Sequence, residues 1–84
     1  MEADDLAERR RRLRGAIVAY LEKHPAASDT PDGICRWWLR PSGSDEDVAT
    51  VEQALEELVL TGEMQRRLLP DGGVVYLAAP RSEA

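Results

Sequence analysis

The chain has 84 residues, 43% hydrophobic and 32% charged, with a formal net charge of −5. That length holds one small domain, the composition is too apolar for a wholly disordered chain, and the acidic balance argues against a polyanion as main partner. A lone cysteine, Cys35, forms no internal disulfide, no apolar run approaches the roughly 18 residues of a membrane span, and the MEADDLAERRRR start lacks the apolar core of a secretion signal. A cytoplasmic location is the default expectation, with no membrane partner.

Residues 3 to 23 read as a first helix, with Leu6, Leu13, Ile17, Tyr20 and Leu21 on an apolar stripe and His24-Pro25 as its stop. Its acids precede the run Arg9, Arg10, Arg11, Arg12 and Arg14, so Asp5 with Arg9 and Glu8 with Arg12 are candidate i,i+4 pairs. The ordinary expectation for such a mixed face is a solvated surface; the sharper one is a cationic ridge. Ala26 to Asp29 is a short link with a strand-like residue or two.

Thr30-Pro31-Asp32 opens a short second helix, with Thr30 as its N-cap and Pro31 at the first helical position. Pro41 ends it and pushes Arg40 toward extended geometry. Ile34, Cys35, Trp38 and Leu39 make its buried face; Trp37 is expected to be partly buried, and if exposed would be an interface anchor.

The third helix carries the fullest signal. Ser44 is a candidate cap, Asp45, Glu46 and Asp47 suit the positive end of the dipole, and Gly62 is the stop. Val48, Val51, Leu55, Leu58 and Val59 form the buried stripe, while Glu46, Thr50, Gln53, Glu56 and Glu57 fall mainly on other faces. Between residues 45 and 61 there are six acids and no base.

A hairpin follows, Glu63 to Leu69 and Val74 to Ala78 around Pro70-Asp71-Gly72-Gly73. A two- or four-residue loop pairs Leu69 with Val74, whereas a three-residue loop slips every partner by one; Arg66 and Arg67 lie on opposite faces either way. Residues 1–5 and 80–84 are expected to be flexible ends around a folded 6–79.

The pattern is poor in chemistry. One histidine and one cysteine fall short of a zinc site, and no calcium-loop spacing is present. Cys35 sits on an apolar helix face, where a thiol is usually inert filling. Neither a nucleophile elbow nor a phosphate-cradling loop occurs. No enzyme activity, metal, cofactor or small-molecule substrate is expected.

Helix, link, short helix, turn, long helix ending at Gly62, then hairpin, with the passage Leu58-Val59-Leu60-Thr61-Gly62-Glu63-Met64 into the first strand: this order resembles the winged-helix domain, a helix-turn-helix variant, over residues 6 to 79. The resemblance implies a mainly α fold with a small antiparallel β-hairpin (α+β), a three-helix core plus a wing. It also implies a third helix that enters the major groove and a wing that touches phosphates or the minor groove, with Asp45, Glu46, Ala49, Thr50 and Gln53 as the reading positions and Arg66, Arg67, Asp71 and Gly72 in the wing. A groove-reading helix normally offers Arg, Lys, Asn or Gln to base edges, and this one offers Gln53, Thr50 and carboxylates.

Two functions follow. The favoured one is a protein-interaction module that docks a partner or a second copy through Glu46, Thr50, Gln53 and Glu57, with Trp37 alongside; pairing through the first helix is a further route to a dimer. The alternative is a DNA-binding regulator using Arg9, Arg10, Arg12, Arg66 and Arg67 on phosphates. Convergence of the arginines on one face would favour DNA; arginines scattered or paired with acids would disfavour it.

Overall fold

Leu13, Ile17 and Leu21 recur at four-residue spacing and bury one stripe of the first helix, α1 (Glu2–Lys23), with Ala16, Val18 and Tyr20 at its margins. The computed structural model describes residues 2–43 and 46–80, with side chains from residue 6 onward except that of Ser42. Leu6, expected on the stripe, is 40% exposed, because packing begins two turns later at Leu13. Glu8 pairs with Arg11 at 2.7 Å, one position short of the expected Arg12. The side chain of Asp5 lies outside the described residues.

After a turn closed by Ala27 N–H to His24 O (3.0 Å), Ser28–Asp29 forms β1. Thr30 Oγ1 then accepts from Gly33 N–H at 3.1 Å, and Pro31 starts the second helical segment, α2. It is α-helical over Pro31–Gly33, widens to a π-helix over Ile34–Leu39 and tightens to a 3₁₀ turn over Arg40–Ser42. Arg40 is therefore helical, not extended as expected before Pro41: its N–H bonds Cys35 O, its C=O accepts from Gly43 N–H, and Gly43 at φ 95° provides the stop. Ile34, Cys35, Trp38 and Leu39 are buried, and Tyr20 stacks on Trp38 with centroids 4.6 Å apart. Trp37 is 66% exposed, against the expected partial burial. The wide turn aims residues 34, 35, 38 and 39 inward and leaves it outside.

The third helix, α3, is Val48–Leu60 and starts later than expected. Asp47 is its cap, with Oδ1 accepting Thr50 N–H at 2.9 Å; an aspartate caps as well as a serine. The Thr50 side chain first, and then this bond from its N–H, hold the Asp47 carboxyl below its ordinary pKa. Glu46 accordingly precedes the helix, where its carbonyl accepts from Cys35 Sγ at 3.9 Å. Ser44 and Asp45 lie outside the described residues. Val51, Ala54, Leu55 and Leu58 are buried, with Val48 and Val59 at the margin. Gly62 at φ 85° ends α3: its N–H bonds Val59 O while Glu63 N–H bonds Leu58 O, a Schellman closure.

Met64–Leu68 (β2) and Val74–Ala78 (β3) form the hairpin, and β1 adds to it, giving a three-stranded antiparallel sheet in the order β1-β3-β2. Leu69 N–H bonds Gly73 O and Gly72 N–H bonds Leu69 O, with Gly72 at φ 91°, so the loop is the three-residue alternative, Pro70-Asp71-Gly72. In this register Met64 faces Ala78, Arg66 faces Tyr76 and Leu68 faces Val74, which puts all six side chains on the inner face of the sheet. Gln65, Arg67, Val75 and Leu77 take the other face. The described residues thus form an α+β fold of three helices and a small antiparallel sheet, compatible with a winged-helix-like arrangement. Its core joins Ile17, Ile34, Leu39, Val51, Leu55, Leu58 and Met64, all 2% exposed or less. Burying each contributes about 1.5–3 kcal/mol before entropy is counted.

Candidate functional site

The charges on α3 have partners from two sides. Since residues 53 and 57 are one turn apart, they share a face, and that face turns toward α1. There Arg10 Nε lies 2.8 Å from Glu57 Oε2, Arg14 pairs with Glu57 Oε1, and Arg10 Nη1 reaches Gln53 Oε1 at 3.4 Å. The Arg10 Nε contact is close but poorly aligned as a hydrogen bond, so it acts through charge more than through directed bonding. Arg9 lies near enough to help lower the Asp47 pKa. The α1 arginines thus serve as counterions for α3.

On the next face Glu56 turns toward the sheet. Arg66 Nη1 donates to Glu56 Oε2 at 2.7 Å, and Tyr76 Oη donates to the same oxygen at 2.8 Å. The Tyr76 hydroxyl, and then Arg66, hold the Glu56 carboxyl below its ordinary value against the desolvation that would raise it. Burial first, and then the bond to Glu56, push the Tyr76 hydroxyl up. A three-residue loop is what brings this triad together, because only that register puts Arg66 opposite Tyr76 on the inner face.

Of the residues nominated for protein docking, Gln53 and Glu57 are brought together but engaged by α1. Thr50 is half-buried in the first turn of α3, Glu46 stands before the helix, and Trp37 projects from α2. Of those nominated for phosphate, Arg10 and Arg66 are ion-paired and Arg9 has an interaction of its own. Arg12 and Arg67 are exposed, with no ion pair among the described residues, and lie on different elements. Arg36 pairs with Asp32 at 3.3 Å.

The cleft that the hairpin makes with the helices is not evident from the sequence. Pro31, Glu52, Arg66, Leu68, Val74 and Tyr76 border an open volume of about 640 Å³. Its sequence signal was the φ > 0 position in Pro-Asp-Gly-Gly: choosing the three-residue loop aligns Arg66 and Leu68 with Tyr76 and Val74. Glu52 and Glu56, one turn apart, then face that same side.

Cys35 is buried, and its thiol is pushed up by desolvation and next by the Asp32 and Asp47 carboxylates, the reverse of an activated nucleophile. Among the described residues no group of three or more His, Cys, Asp or Glu side chains is placed to hold a metal ion, and no helix is long and apolar enough to cross a membrane. No protein-family model matches the chain, and neither a curated protein nor a solved structure shows significant similarity to it.

Proposed function

We propose that this chain is a non-catalytic protein-interaction module of the winged-helix type, acting in the cytoplasm on a protein partner. The observation that carries the proposal is the engagement of arginines by α3: Arg10 and Arg14 with Glu57, and Arg66 with Glu56. A guanidinium already neutralised by a neighbouring carboxylate releases fewer counterions on meeting a phosphate, and a net acidic surface adds repulsion. Exposed apolar side chains support the same proposal: Trp37 on α2 and Leu68 at the wing, 66% and 75% exposed, are the kind of groups that anchor protein interfaces.

Titration of a random duplex with the full chain over a salt series, followed by fluorescence anisotropy, tests this function. No saturable binding is expected even at low salt. Binding that weakens steeply as salt rises would replace the interaction module with a DNA-binding protein.

A further inference from the structure

We infer that the cleft between the wing and α3 is a peptide-docking site whose occupant presents an aliphatic side chain to Leu68 and Val74 and a lysine or arginine to Glu52. This inference rests on the proposed interaction function and names the partner's chemistry. The cleft volume of about 640 Å³ falls within the range of pockets that hold small ligands or a few side chains. Its walls divide by character. Leu68, Val74 and Pro31 supply apolar surface, and Leu68 is the most open of them.

The polar wall has an unequal charge balance. Arg66 faces the cleft, but Glu56 holds its guanidinium, and the Tyr76 hydroxyl is directed to that same carboxylate. Glu52, one turn earlier on α3, is exposed and makes no ion pair among the described residues. The carboxylate left for a ligand is therefore that of Glu52, beside open apolar surface. A cation close to an aliphatic group is the complement of that pairing, whereas an anion would meet the uncompensated Glu52 carboxylate. Leu68 supplies contact area and Glu52 supplies the selection for charge.

Selection of a phage-displayed library of random dodecapeptides on the immobilised full chain tests this directly, followed by anisotropy titration of the most enriched synthetic peptide. Enriched sequences are expected to place Lys or Arg within a few residues of Leu, Ile, Val or Met. Affinity is expected to fall about tenfold or more for Leu68→Ser and for Glu52→Lys, both exposed positions whose retained fold is checked by circular dichroism. Failure to enrich any peptide, enrichment of acidic ones, or loss of affinity only in Trp37→Ala would overturn the inference. So would a wild-type dimer that Leu68→Ser dissociates, because a second copy would then own the cleft. Failure of peptide binding with no duplex binding removes this site alone, while steep salt-dependent duplex binding removes the interaction function beneath it.

Discussion

Replacing Tyr76 by Phe deletes one hydroxyl and keeps the ring, which is 4% exposed against Met64 and α3. The hydroxyl donates at 2.8 Å to a carboxylate that Arg66 also holds at 2.7 Å. Hydrogen bonds to charged groups contribute about 1.5–3 kcal/mol, and the half exposure of Glu56 places this one at or below the bottom of that range, about 1–1.5 kcal/mol. In a domain of this size the loss lowers the melting temperature by roughly 4–8 °C per kcal/mol. Its pH dependence has a definite sign. The folded pKa of Glu56 is depressed, so its contribution is present above the unfolded value of about 4.3 and is lost as pH falls through the folded value. Tyr76 is shifted upward, so the stability from its protonated form is full below about pH 10 and is lost as pH rises through the folded value. Urea denaturation of wild type and Tyr76→Phe at about pH 7 and about pH 2.5 should show the full difference at neutrality and a smaller one in acid. An equal difference at both pH values, or none at pH 7, would refute the assignment of the hydroxyl to Glu56.

Gly33→Ala should destabilise the fold although Gly33 is helical, because a Cβ there meets the carboxylate of Asp29, whose Oδ1 accepts from Thr30 N–H. In an Asp29→Ala background the sign should reverse toward the ordinary helix gain of about 0.5–1 kcal/mol, which thermal melts of the four chains would show. Cys35 should react with a thiol reagent at neutral pH far more slowly in the native chain than in urea, since it is buried and its pKa is raised by desolvation; equal rates would contradict that burial. Trp37→Ala should change stability by less than about 0.5 kcal/mol in urea melts, as expected for a side chain that stands mostly in solvent, 66% exposed.

Much of the architecture is local and was therefore legible in the sequence. The four-residue spacing of Leu13, Ile17 and Leu21, the Thr30-Pro31 start of α2, the Gly62 stop and the hairpin all express short-range preferences. What was not legible depended on choosing between near-equal local options. Serine at 44 and aspartate at 47 are comparable caps, and the choice of Asp47 moved Glu46 off the helix. Arg40 took helical geometry before Pro41 because the π-helix and 3₁₀ turn carry the chain to Gly43. The candidate site was harder still, since its charges are set by tertiary contacts: the arginine run was visible at once, but its proximity to Glu57 rests on how α1 crosses α3. The Glu56, Arg66 and Tyr76 triad likewise required the strand register.

Whether α3 acids occupy arginines that would otherwise be free for phosphate is read out by comparing wild type with a Glu56→Gln, Glu57→Gln chain in duplex anisotropy titrations across salt. Wild type is expected to show no saturable binding, and the substituted chain a weak, salt-sensitive affinity once Arg10, Arg14 and Arg66 are released. Wild-type binding with a steep salt slope that the two substitutions leave unchanged would contradict that occupancy.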